Sequence, residues 1–176
     1  MYDSLHQPTF RELTIYSREL ADYFQHKMLL RIEKVQDEFG LLLKKAKNAR
    51  LKARTFKTAV GVGIQMNDGE IFTAGNIENS SRFFDRHAEF VASEKAMMAD
   101  GKKYQKKDFI ALAVNTTKYA QYAVPTCAGC RQWLWENTHP ELEIIVFNSR
   151  EVVLVIPLRL VYPLPWPREP KPRIGE

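Results

Sequence analysis

The sequence predicts an α/β sandwich in which helices cover both faces of a single sheet, and three observations carry that prediction. Apolar residues recur at helical spacing through the first third of the chain. At Ala59 the pattern changes to that of a β-hairpin. From His87 onward, helical stretches alternate with short apolar runs of the kind that form buried strands.

Taken in order, Thr9-Phe10-Arg11-Glu12 follows Pro8 with the Ser/Thr-x-x-Glu spacing of a capping box and predicts a helix start. Leu13, Tyr16, Leu20 and Phe24 share one stripe, Met28, Ile32, Val35, Phe39 and Leu42 share another, and Gly40 marks a break or bend. Two strands, Ala59 to Met66 and Glu70 to Ala74, meet around the turn Asn67-Asp68-Gly69. His87 to Met98 reads as a helix ending near Asp100-Gly101, Phe109 to Val114 as a buried strand, and Cys127 to Asn137 as another helix. Leu142 to Phe147 and Val152 to Ile156 read as further strands. Pro157 opens a last short helix, and a tail from Pro163 to Pro172 is rich enough in proline to be extended.

Composition bounds the function. The 176 residues carry a net charge of +5, from 26 Lys and Arg against 21 Asp and Glu, with 45% hydrophobic content, which suits one compact domain. Two cysteines in one CxxC pair cannot staple distant segments, so a disulfide scaffold is not expected. The longest apolar stretch, Val152 to Leu158, is too short to cross a bilayer, and no membrane partner is expected. The opening MYDSLHQPTFREL lacks the apolar block of a secretory signal, so the expected location is cytoplasmic. Lys44, Lys45, Lys47, Arg50, Lys52, Arg54 and Lys57 form a basic stretch that suits nucleic-acid phosphates, although a solvated helix face is the simpler reading.

Two segments carry chemistry, His87-Ala88-Glu89 and Cys127-Ala128-Gly129-Cys130, and each stands where a helix begins. One imidazole and two thiolates are three protein ligands for zinc and leave a fourth tetrahedral position for water, the mark of a catalytic site. The CxxC spacing puts both sulfurs at a helix N-terminus, where the dipole and free N–H groups favour thiolates. Glu89 lies two residues after the histidine, placed to exchange protons with such a water without being a ligand. A CxxC alone reads equally well as a redox pair, and a lone His-Ala-Glu as a solvated helix turn. His-x-Glu followed by Pro-Cys-x-x-Cys is a known signature of zinc deaminases, an association rather than something the spacing proves.

From Thr58 to about Pro167 the chain resembles the cytidine deaminase family of zinc-dependent nucleoside deaminases. Besides the two motifs above, Asp68-Gly69-Glu70-Ile71-Phe72-Thr73-Ala74-Gly75-Asn76-Ile77-Glu78-Asn79 is similar to the family's DGxIFxGxNIEN block, and Cys130-Arg131-Gln132 to its CRQ. The resemblance implies a three-layer α/β/α sandwich with a central mixed sheet of about five strands. It divides the chain into an N-terminal helical extension over 1–40, the zinc domain over 41–167 and a Pro-rich tail over 168–176. It also implies hydrolytic deamination of cytidine or deoxycytidine to uridine or deoxyuridine with release of ammonia, as in pyrimidine salvage.

By the same resemblance, His87, Cys127 and Cys130 hold one zinc ion per subunit and Glu89 is the proton shuttle. Asn76 and Glu78 bind the ribose hydroxyls, the N–H of Ala88 meets the pyrimidine carbonyl, and Trp166 in Pro163-Leu164-Pro165-Trp166 reaches the base, often across a subunit boundary. A homo-oligomer is implied, a tetramer before a dimer. Four departures stand out: one extra residue in Pro125-Thr126-Cys127, Thr58 in place of an aromatic, Arg82 in place of Tyr or Phe, and Phe90 where three-cysteine members carry Arg. They keep open a modified or antibiotic cytosine nucleoside of the blasticidin type, a nucleotide, or cytosine in single-stranded nucleic acid as the substrate. A non-catalytic zinc-binding assembly protein is the remaining alternative.

Overall fold

The computed structural model describes residues 10–116, 126–148 and 150–162. Helix α1 (Phe10–Asp22) runs through a π-helical turn (Tyr23–Lys27) into α2 (Met28–Arg50). The hairpin strands β1 (Val60–Met66) and β2 (Ile71–Gly75) follow, then α3 (Ala88–Met97), β3 (Phe109–Thr116), α4 (Ala128–Asn137), β4 (Glu143–Phe147), β5 (Val152–Pro157) and α5 (Leu158–Val161). The strands form one five-stranded sheet in the order β2-β1-β3-β4-β5, with β3 and β4 parallel and the other pairs antiparallel. No helix among the described residues is long and apolar enough to cross a membrane.

Strand alternation sends successive side chains to opposite faces and so builds two cores. Leu112 and Val114 of β3, with Ile144 and Val146 of β4, meet Ala88, Ala92 and Ala96 of α3 and Leu134 of α4. Ala111 and Ala113, with Ile145 and Val155, meet Val35, Phe39, Leu42 and Ala46 of α2. The result is the expected three-layer sandwich around a mixed sheet. Helix α2 lies close to the sheet because β1 and β2 offer it glycines. A Cβ on Gly61 would fall 2.3 Å from the Ala46 carbonyl oxygen, and one on Gly75 would fall 2.7 Å from that of Ala49. At the end of α2, Arg50 Nε donates to Asn115 Oδ1 at 2.7 Å, and Asn115 Nδ2 donates to the Phe147 carbonyl at 3.1 Å.

Three details of the N-terminal helices differ from the expected pattern. The π turn adds a residue to the helical period, so Tyr23 is buried with its hydroxyl on the Val155 carbonyl at 2.7 Å, while Phe24 is exposed. The bend sits at Phe39 (φ −126°, ψ 17°), one residue before Gly40. The basic stretch is only partly helical: α2 stops at Arg50, and Lys52, Arg54 and Lys57 lie in the segment leading to β1. The capping residue Thr9 lies outside the described residues.

Candidate active site

The site forms where α3 and α4 begin side by side on one face of the sheet. Ile77 bridges Arg54 on one side and Arg86 on the other, which pins the segment entering α3. Within that segment Arg82 adopts φ 60° and pairs with Asp85 at 2.9 Å, and the Asp85 carboxylate accepts from the Asn79 N–H at 2.6 Å. The chain then delivers His87 in extended conformation as the N-cap of α3, and Cys127 likewise as the N-cap of α4. Cys127 Sγ accepts from the Cys130 N–H at 3.3 Å, so the cap itself is a sulfur.

These caps bring three donor atoms together. His87 Nδ1 lies 3.4 Å from Cys127 Sγ and 3.2 Å from Cys130 Sγ, and the two sulfurs are 3.2 Å apart. A nearly equilateral triangle of that size leaves a point about 2 Å from all three atoms, the range of zinc–nitrogen and zinc–sulfur bonds. The donor set therefore fits zinc. Hydrogen bonding from the Cys130 thiol, helped by His87 and the α4 N-terminus, holds the Cys127 thiol down at about 4. Its neighbour moves the other way: the contact with Cys127 and burial push Cys130 up. The hydrogen bond with Cys127 raises His87 above its ordinary value.

Glu89, in the first turn of α3, is buried beside this cluster. Burial raises its carboxyl above the usual range, against hydrogen bonds from its own backbone N–H and the Cys130 thiol. Two further contacts fix α3 against α4. Trp133 Nε1 donates to Ser93 Oγ at 2.8 Å, and the Phe90 ring sits 5.3 Å from Trp133 and 5.8 Å from His87.

A cavity of about 480 Å³ opens over the cluster, lined by His87, Ala88, Glu89 and Cys127 and also by Asn76 and Glu78. Both polar residues are tied to the backbone before β1. Asn76 Oδ1 accepts from the Val60 N–H at 2.8 Å and its Nδ2 donates to the Thr58 carbonyl at 2.9 Å. Glu78 Oε2 accepts from the N–H groups of Phe56 and Lys57 at 2.7 and 2.9 Å. Burial would raise the Glu78 carboxyl, but those hydrogen bonds outweigh it and the pKa is lowered. Ala88 is the first residue of α3, so its N–H is one that the helix does not itself satisfy. Trp166 lies outside the described residues.

No family model matches the chain, and no curated protein matches it. Solved structures do. The 1.6 Å crystal structure of cytidine deaminase from Burkholderia pseudomallei is 31% identical, with a TM-score of 0.60 over 68% of this chain and 92% of that one. This chain belongs to the cytidine deaminase family. The cytidine deaminase from Mycobacterium leprae is 25% identical with a TM-score of 0.52, over 72% of this chain and 98% of that one. That from Mycobacterium tuberculosis is 23% identical with a TM-score of 0.56, covering 73% and 96%, and shares the fold. The His87–Cys127–Cys130 cluster is consistent with the zinc site of a cytidine deaminase family member.

The sequence motifs thus converge in space, while several supports of the site were not foreseen. Ser93 and Trp133 have no motif of their own. Trp133 carried one usable signal, a position six residues after Cys127 on a helix whose start was already marked.

Proposed function

We propose that this chain is a zinc-dependent deaminase of free cytosine nucleosides, converting cytidine or deoxycytidine and water to uridine or deoxyuridine and ammonia. The observation that carries the reading is the His87–Cys127–Cys130 triangle with buried Glu89 beside it, at the wall of a cavity large enough for a nucleoside. Zinc held by those three residues would act as a Lewis acid that brings the pKa of water down toward about 7.

The rest of the chemistry falls to side chains of this chain. Glu89 takes a proton from the attacking water and delivers it to N3 of the pyrimidine as the C4–O bond forms. It then takes the proton of the new C4 hydroxyl and gives it to the amino group, so that the C4 carbonyl forms as the C4–N bond breaks and ammonia leaves. Ala88 offers its N–H to the pyrimidine carbonyl. Asn76 retains one amide hydrogen and a lone pair beyond its two backbone bonds, and the Glu78 carboxylate has acceptor capacity beyond the backbone N–H groups it binds. Both are held rigid by the backbone they bond, which suits them to orient a ribose. Trp166 is assigned to the base and the assembly to a homo-oligomer, by family resemblance.

Lys57 and Arg82, two exposed residues that line the cavity, favour one second reading, a substrate that carries a phosphate. The pairing of Arg82 with Asp85 counts against it. Ultraviolet monitoring of cytidine, deoxycytidine and cytidine monophosphate with zinc-loaded protein, using Glu89→Gln as the blank, separates the two. Loss of the cytosine band with the nucleosides supports the first reading, turnover of the monophosphate alone supports the second, and equal rates in the Glu89→Gln protein sink the assigned proton shuttle.

A further inference from the structure

The two helices that carry the site are joined by a polar contact that the chemistry above leaves unused. Ser93 of α3 is fully buried, and its hydroxyl lies 2.9 Å from the Glu89 carbonyl oxygen and 3.0 Å from that of Phe90, the pair to which it donates. The same oxygen accepts from Trp133 Nε1 of α4 at 2.8 Å. One hydroxyl thus links the indole of α4 to the backbone of the α3 turn that bears Glu89.

Spacing gives this contact its consequence. Ser93 stands four residues after Glu89 and Trp133 three after Cys130, so each lies one helical turn beyond its site residue and on the same face. Glu89 meets Cys130 at the cluster, and Ser93 meets Trp133 one turn further in. The core residues around them, Ala92 and Ala96 of α3 and Leu134 of α4, are apolar, and apolar packing has no preferred direction. A hydrogen bond does, so this one limits how far α4 can slide along α3. Such a slide matters because α3 supplies His87 and Glu89 while α4 supplies Cys127 and Cys130. Alanine, which fills positions 92 and 96, is also the better helix former at position 93. A buried serine there gives up that propensity for a bond that fixes one helix on the other.

We propose that Ser93 and Trp133 are positioning residues that set the register of α4 on α3, and through it the shape of the metal triangle and the place of the Glu89 carboxyl, an inference that rests on the deaminase reading above. The test compares Ser93→Ala, Trp133→Phe and the double variant with Val35→Ala, a core change on the α2 face of the sheet. The readouts are kcat and KM for cytidine with the zinc-loaded full chain, the melting temperature, and the visible spectrum of the full chain loaded with cobalt(II). Cobalt d–d bands report the geometry of the three donors directly.

The double variant is expected to lose roughly 10- to 100-fold in kcat, no more than the worse single variant, and to shift the cobalt bands. Its KM should stay within about threefold of wild type, because Asn76 and Glu78 are tied to the segment before β1 and not to α4. It should melt no lower than Trp133→Phe, since removing both partners leaves no buried polar group unpaired. Val35→Ala should melt below wild type with its kcat and cobalt bands unchanged. A double variant with kcat within about twofold of wild type, or with wild-type cobalt bands, overturns the proposal, because packing alone then sets the register. A Val35→Ala protein that loses as much kcat as the double variant overturns it too, since activity then merely follows stability. Wild type that binds cobalt but does not deaminate cytidine removes the deaminase reading, and the cobalt bands of the double variant then decide the register by themselves.

Discussion

Gly61→Ala tests the packing of α2 on the sheet. The new Cβ would lie 2.3 Å from both the Ala46 oxygen and the Arg50 nitrogen, and 2.6 Å from Arg50 Cβ. Two of these are helix backbone atoms, so no rotamer change relieves the contact and α2 must retreat by about 1 Å. A gap of that size forfeits about a quarter to a half of the dispersion at the interface. Val35 and Leu42 are fully buried there and Leu43 nearly so. At about 1.5–3 kcal/mol for each such side chain, the partial loss comes to about 2 kcal/mol. Residual strain adds about 1–2 kcal/mol, for a total of about 3–4 kcal/mol. Urea unfolding followed by circular dichroism reads this as a shift in midpoint at unchanged slope. Gly129→Ala is the control: it lies in α4 with nothing within 4 Å of its added Cβ. That change should stabilise by about 0.5–1 kcal/mol through helix propensity. A Gly61→Ala midpoint equal to wild type would refute the close approach of α2 to β1.

Trp133→Phe keeps an aromatic ring against Phe90 but loses the hydrogen bond to Ser93, and should cost about 1 kcal/mol in the same assay, against about 3–5 kcal/mol for Trp133→Ala. Asp68 is held down at about 2, chiefly by hydrogen bonding from Lys102 and further by the Glu70 N–H and Tyr104. A depressed folded pKa stabilises above the unfolded value of about 3.9, and that stabilisation disappears as pH falls toward the folded value. Asp68→Asn should therefore melt slightly below wild type at pH 6 in low salt, with the difference closing between about pH 4 and pH 2. A gap that persisted at pH 2 would rule out this pair as its source. Stripping metal with a chelator should lower the melting temperature and abolish deamination, both restored by zinc. Cys127→Ser should no longer bind one zinc per chain at stoichiometric metal.

The legible parts of this chain were those where one residue type has one physical use. Cysteine and histidine at two helix starts announced a set of donors suited to a metal, and His87 and Cys127 became N-caps. Pro157 likewise became the cap of α5. What escaped depends on neighbours remote in sequence. Asn115 and Thr116 looked like the end of the apolar run, yet β3 continues through them because Arg50 and the Phe147 carbonyl satisfy Asn115 inside the fold. The π turn at Tyr23 could not be foreseen from period counting, since it is the contact with Val155 that selects Tyr23 over Phe24. Gly61 and Gly63 in β1 suit either close packing or a bend, and only the fold shows that α2 packs on them. Asn76 and Glu78 were singled out for a ligand by motif alone, and nothing in the sequence signalled the hydrogen bonds by which they hold the segment before β1.

Phe90 shows how the ligand set constrains its surroundings. A neutral imidazole with two thiolates balances the charge of a zinc ion, whereas three thiolates would leave one negative charge in excess. A site of the first kind needs no cation on the adjoining helical turn, and position 90 is then available for packing. Phe90 uses it to bridge the His87 and Trp133 rings. Phe90→Arg should accordingly weaken zinc binding and cost about 1–3 kcal/mol of stability in the native background. In a His87→Cys background the same arginine has an extra thiolate to offset, so its cost to zinc affinity should shrink or reverse. Zinc titrations of the two single variants and the double variant give that coupling directly. Equal losses in both backgrounds would mean that packing alone, and not charge balance, decides what stands at position 90.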